Sequence, residues 1–322
     1  MFSLQSYFEK VFVIHMEKDK DREQHIQEQF QKIATTYEFR RGVIPTKEER
    51  IKYASPICKR TCSSSMLGIY LAHRYIWEEM VQKNISQAVI FEDDVTFTEN
   101  VSSVFPKAFQ ELPLNWDMLY LGCITCSDTV SPWIRGTMKL KGLHSYDLKP
   151  YSTHLRTPSI VIGMEAYALS LEGAKKLLQL FPYASDHVDL MISQKLEKIN
   201  VFSVYPSVAY QHPSGFQNSN NTTKTPILAN KIASLVDVVT LSHTQISMAY
   251  VLSIPIFQLH HEIVWNGWCI LFICFGFISS VSYRSLSIYL LLELALQKGS
   301  NYKQYILYLF CLFLGRWITQ MV

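Results

Sequence analysis

The 322-residue sequence has no glycine-rich phosphate loop, no nucleophile elbow and no heptad repeat. P-loop nucleotide chemistry, an elbow-type serine hydrolase and a coiled coil are excluded on those grounds. Net charge is small, formally +3, and no nucleic-acid partner follows from it. The first twenty residues hold no uninterrupted apolar run and include Glu9, Lys10, Glu17 and Lys18. A cleaved secretory leader is therefore not expected, and the sequons at Asn84, Asn100, Asn220 and Asn221 read as chance matches. Lys and Arg are missing altogether between Lys231 and Arg284. Cysteine is sparse, with a C-x3-C pair (Cys58, Cys62) and a C-x2-C pair (Cys123, Cys126) among seven. Without ribbon-like turns these pairs are weak zinc signals, and reduced thiols packed in a core are expected instead.

What is present is an alternation of elements. Residues 9–16 form a β-branched and aromatic run that reads as a buried strand, and the charged stretch 17–32 carries Ile26, Phe30 and Ile33 at helical spacing. Residues 64–82 read as a helix, 87–91 and 116–121 as apolar strands, and 123–158 as a long loop with short strands. Residues 159–169 are strand-like, 172–181 and 189–199 helical, and 200–210 a strand broken by Pro206. Strands alternating with helices predict an α/β fold: a Rossmann-type, mostly parallel sheet flanked by helices. The polar stretch 213–230 reads as a boundary, giving a domain over 1–225 and a helical tail over 226–322. Within the tail, residues 263–283 carry no charge and Trp265, Trp268 and Tyr283 lie towards their ends. That length matches a hydrocarbon core of ~30 Å, so a transmembrane segment and a membrane-associated chain are expected, with the first domain in the cytoplasm.

The strongest chemical feature is Glu92-Asp93-Asp94 at the end of an apolar strand. Three like charges at a strand end repel one another unless something positive is bound. A hard divalent cation, Mg2+ or Mn2+, suits such oxygen ligands, and ligands in open α/β sheets sit at the carboxyl ends of strands.

Six ordered blocks between residues 11 and 220 sharpen this: VFVIHMEKDKDR (11–22), LGIYLAHRYIW (67–77), AVIFEDDV (88–95), DMLYLG (117–122), GMEAYALSLEGAKKLL (163–178) with VDLMI (188–192), and VYPSVAYQ (204–211). In these the chain resembles glycosyltransferase family 25, the lipooligosaccharide and procollagen galactosyltransferase group. The resemblance implies a GT-A-like fold, a UDP-sugar or other nucleotide-sugar donor, inversion at the sugar carbon, and a glycan, glycolipid or glycoprotein acceptor. It places His15, Asp21, Arg22, Gly68, His73, Glu92 and Asp93 around the donor. Asp94, with Glu92 and His212, is the expected metal set. Asp189 is the first choice of catalytic base, Asp186 the second, and Glu165 a contact to donor or acceptor sugar. The family's Asn in the first block is His15 here, and its Cys and Ser beside the histidine are Ile69 and Ala72. Those departures leave room for a catalytically inactive binding protein.

Overall fold

The computed structural model describes residues 2–126, 148–212, 254–255, 263–278, 282–296 and 302–321. Two compact units are present. The described part of the first ends at His212, and the segments from 254 onward belong to the second. The expected boundary at 225/226, the polar stretch 213–230 and the sequons at Asn220 and Asn221 lie outside the described residues.

The first unit is built on an eight-stranded sheet in the order β2-β1-β3-β8-β5-β9-β7-β6. Its centre comes from the apolar runs: β1 (Lys10–His15), β3 (Gln87–Glu92), β5 (Met118–Gly122), β8 (Ala166–Ser170) and β9 (Val201–Val204). Side chains alternate across a strand. Val11, Val13, Val89, Phe91, Leu119 and Leu121 therefore share one face, where Ile26 and Phe30 of α1 (Lys20–Lys32) and Phe105 of α5 (Val101–Gln110) join them in one core. Phe12, Ile90, Tyr120 and Tyr167 are fully buried in alternate register. Tyr167 meets α4 (Ser64–Lys83) through Trp77 and His73.

The sheet is mixed, which corrects the expectation of a mostly parallel one. β1 pairs in parallel with β2 (Glu38–Arg41) and β3, and β5 with β9. β8 runs antiparallel to both β3 and β5. The edge strands β6 (Leu148–Pro150) and β7 (Leu155–Pro158) are antiparallel as well. An antiparallel strand leaves the same 2-residue signature in sequence as a parallel one, so periodicity did not reveal its direction.

The cysteines also differ from expectation. Cys123 and Cys126, just past β5, form a disulfide with their Cα atoms 4.9 Å apart, and Cys58 and Cys62 are disulfide-bonded too. Four of the seven are therefore not reduced core thiols.

In the second unit, α8 (Gly267–Phe277) and α10 (Tyr302–Met321) pack around Cys269, Phe272, Tyr305, Tyr308, Cys311 and Leu312. The Asn266 side chain caps α8, accepting from the Trp268 and Cys269 amides, and α8 ends at Ile278 in extended backbone. Eleven helical residues rise only ~16 Å against a hydrocarbon core of ~30 Å. Val264–Trp265, inside the run expected to span, pairs instead as a strand with Ile254–Pro255. Among the described residues no helix is long and apolar enough to cross a membrane. The expectation of a chain attached through a segment at 263–283, with a cytoplasmic catalytic domain, is overturned by that finding.

Behind the site, β5 closes on a second short sheet, β10 (Ala209–Gln211) against β4 (Val95–Phe97). A Cβ on Gly122 would lie 1.8 Å from the Ala209 carbonyl oxygen. Gly122→Ala is expected to lower stability by ~1–3 kcal/mol, as overpacking does. Urea denaturation measures it, and an unchanged midpoint would mean that the two backbones are not in contact.

Candidate functional site

Parallel pairing of β1 with β3 brings Ile14 level with Glu92, so both strands deliver their last residues to one edge. His15 ends β1 and Glu92 ends β3, and Asp93-Asp94 turn the chain into β4. All three acids are thereby gathered, as the sequence suggests. Their crowding is relieved by protein groups. The Arg22 guanidinium, in the first turn of α1, bonds Asp93 and reaches Asp94 Oδ2 at 3.3 Å. His15 Nδ1 lies 2.8 Å from Asp93 Oδ2. Arg22 is mostly buried. Burial works against its charge, but Asp94 and Asp93 outweigh it and hold the guanidinium above its ordinary range. Asp21, by contrast, is exposed on the first turn of α1, where a carboxylate favours the helix dipole; it does not join the cluster.

Asp94 is 5% exposed. Burial pushes its carboxyl up to about 6 against the pull of Arg22, with Glu92 and Asp93 adding to the rise. Gln211 of β10 donates to its Oδ2 at 3.1 Å, and Oδ1 is buried with no hydrogen-bond partner. Such an oxygen fits one ligand position of a hard cation that takes its remaining ligands from phosphate and water. A fuller cage is absent: among the described residues no group of three His, Cys, Asp or Glu side chains is placed to hold a metal. His212 reaches Asp94 by its backbone, the N–H donating to the Asp94 carbonyl at 2.8 Å. The His212 ring stands edge-on to His25 at 4.9 Å between centroids. His25 in turn donates from Nε2 to the Val95 carbonyl at 2.8 Å.

Glu92 is partly exposed and is met by His73, which α4 buries completely; His73 Nε2 lies 3.3 Å from Glu92 Oε1. Gly68, one turn earlier on α4, is packed against the Val43 carbonyl, away from the acids.

A second group of carboxyls enters with β8. The backbone N–H of Glu92 donates to the Glu165 carbonyl at 3.1 Å, so Glu165 stands beside the triplet. Glu165 is 2% exposed. Burial raises it well above the usual carboxylate range, and the charges of Glu92, Asp94 and Asp189 push the same way. Gly163 has φ +94°, a conformation glycine adopts without strain. It joins two acids: its N–H donates to Asp189 Oδ2 at 3.0 Å, and a Cβ there would strike the Glu165 carboxyl. Asp189, in the first turn of α7 (Val188–Ser193), also accepts from the Leu190 amide at 2.8 Å. Those two amides favour its anion. Burial outweighs them, and with Glu92 and Asp186 near it the carboxyl rises to about 6. Asp186 accepts from the His187 amide at 2.9 Å, immediately before α7. The Glu165–Asp189 pairing through Gly163, and the contribution of Gln211, were not anticipated from sequence. A glycine two residues before a glutamate is the only trace of the first, and nothing in the sequence signals the second.

Residues 8–192 match the family described as glycosyltransferase family 25 (LPS biosynthesis protein). A rat relative named "Probable inactive glycosyltransferase 25 family member 3" is 33% identical over 40% of this chain and 21% of its own length. Procollagen galactosyltransferase 2 of mouse is 25% identical over 41% of this chain and 19% of its own. Procollagen galactosyltransferase 1-A of Xenopus laevis is 24% identical over 71% of this chain and 40% of its own. The chain thus spans about a fifth to two-fifths of the curated relatives it matches here. The solved glycosyltransferase involved in glycosylation of the major capsid of PBCV-1 covers 60% of the chain at 10% identity with a TM-score of 0.32, a likeness that carries no argument. The family match takes in β1, the acid triplet and Asp189 and runs over more than half of the sequence: the chain belongs to glycosyltransferase family 25.

Proposed function

We propose that the first unit transfers a hexose from a nucleotide sugar to an acceptor hydroxyl with inversion, and that Asp189 is the base. The observation that carries this is the Asp189 carboxylate, fixed by two backbone amides beside Glu165 and raised to about 6. An inverting transfer needs a base near neutrality within reach of the acceptor. As the acceptor oxygen bonds to the sugar's anomeric carbon, the bond from that carbon to the diphosphate oxygen breaks, and the acceptor proton passes to Asp189. Glu165, whose burial favours the acid form, suits a hydrogen-bond donor to a sugar hydroxyl better than a base. Asp186 is the alternative base. Galactose from UDP is the favoured hexose, because matching relatives are named galactosyltransferases. The acceptor is a hydroxyl of a glycan, glycolipid or glycoprotein.

Arg22, His15 and Glu92 form the donor side, the guanidinium being suited to phosphate oxygens. Mn2+ or Mg2+, when bound, would be held by Asp94 with the donor's diphosphate and would neutralise charge on the departing nucleotide. His212 is placed to support Asp94 through its backbone.

A second reading is a catalytically inactive binding protein. It is favoured by the names of several matching relatives and by an acid cluster whose charge Arg22 already offsets in part. Calorimetry with UDP and Mn2+ discriminates, since loss of all nucleotide binding would leave neither donor site nor transfer.

Transfer from UDP-galactose is expected to rise with pH to a plateau with an apparent pKa near 6, because Asp189 works deprotonated. Asp189→Asn should lower kcat by ~10²–10⁴-fold and abolish that limb. A full rate in Asp189→Asn assigns the base elsewhere.

Arg22→Met leaves Asp93 and Asp94 buried without their cation. A loss of about 3–5 kcal/mol is expected at pH 8, as when one partner of a buried pair is removed. The loss should shrink at pH 5. Asp94 has a folded-state pKa above its unfolded value, so the native state binds the extra proton, and stability falls as pH rises through about 6. Denaturation at the two pH values measures the difference, and equal losses would exclude Arg22 as the charge partner.

A further inference from the structure

Asp93 and Asp94 are held by Arg22 and His15, whereas Glu92 is held by a different device that runs into the core. Trp77 Nε1 lies 3.0 Å from the Tyr167 hydroxyl, and the same hydroxyl lies 3.0 Å from His73 Nδ1. His73 Nε2 faces Glu92 Oε1 at 3.3 Å. Trp77, Tyr167 and His73 are all fully buried. The direction of each bond follows from the groups themselves. An indole N–H only donates, so the Tyr167 oxygen accepts from Trp77. The hydroxyl has one proton of its own, and His73 Nδ1 is the acceptor in reach. His73 Nδ1 is then unprotonated, and the ring carries its proton on Nε2, aimed at Glu92.

We propose that His73 is a positioning residue: Trp77 and Tyr167 lock its Nε2–H tautomer, and that hydrogen holds Glu92 Oε1 so that Oε2 faces the donor nucleotide. The role rests on the donor-site reading above. Neither Trp77 nor Tyr167 hydrogen-bonds an acid, yet both set the orientation of one of them. The same ring with its proton on Nδ1 would turn a lone pair towards a carboxylate and release Glu92. A buried histidine that merely filled space would need no defined tautomer, and the Tyr167 hydroxyl would then lack an acceptor.

The test uses the full chain with 15N-labelled histidine. Long-range proton–nitrogen spectra distinguish a protonated Nε2 from a protonated Nδ1, and the His73→Gln spectrum assigns the ring. Wild type is expected to show the Nε2–H form, and Tyr167→Phe to lose it in whole or part. UDP affinity with Mn2+, read by calorimetry, should fall roughly tenfold in Tyr167→Phe and in His73→Leu, the scale of losses when an outer partner of a ligating group is removed. His73→Gln, whose amide still donates to Glu92, should recover most of it. In turnover the change should appear in KM for the donor, with kcat little altered. A wild-type ring protonated on Nδ1 overturns the proposal. So does an unaltered UDP affinity in both Tyr167→Phe and His73→Leu. Should the wild-type chain bind no UDP, the donor-site reading fails by itself, while the ring spectrum still decides whether the relay exists.

Discussion

Everything at the strand ends depends on one guanidinium. Arg22 sits against Asp93 and Asp94, in a place where water contributes little. Without it three adjacent carboxylates would share one low-dielectric corner, and the chain would relieve the repulsion by taking up protons or opening the turn. The position of Arg22 is itself set by packing. Ile26 and Phe30 anchor α1 to the core, and the helix can present its first turn only where β1 ends. A hydrophobic contact thus decides where a charge lies. The sequence argument that only a bound metal makes the triplet tolerable is replaced: a protein cation does most of that work, and one buried carboxylate oxygen of Asp94 is left over.

The acids fall into two sets with different partners. Asp93 and Asp94 are paired with cationic or imidazole side chains. Asp189 is fixed by backbone amides, and burial governs its proton affinity. Glu165 lies between the sets and feels the charge of both. Burial thus raises Asp94, Asp189 and Glu165 alike, while the groups that oppose the rise differ: a guanidinium at Asp94 and backbone amides at Asp189.

Much of this was legible in the sequence, and the reasons are particular. The apolar runs at 87–91 and 116–121 became β3 and β5 because buried strands carry their burial in composition. The helix at 64–82 appeared as α4 with nearly those bounds. β2 was not anticipated, because Glu38, Arg40 and Arg41 leave it no apolar run; it is an edge strand, and its charges pair with Lys10 and Glu79. The triplet and Asp189 were readable as acids in suspicious places. Their partners were not. Tyr167 and Trp77 look like ordinary core residues, and only the fold shows that each has one polar atom facing the other. The membrane reading failed because an uncharged run reports hydrophobicity and not what it packs against. Here Cys269 and Phe272 are covered by Tyr305, Tyr308 and Leu312 of another helix.

β8 runs against its two neighbours, and that reversal reaches past topology. β1, β3 and β5 all leave the sheet at the edge where the acids gather, whereas β8 arrives there. Between β3 and β5 the stretch that feeds it, Ile160 to Glu165, is thus an entrant flanked by two exits. Gly163 and Glu165 lie in that entrance, so a change in its length would move the backbone partners of Asp189 and of Glu92 together.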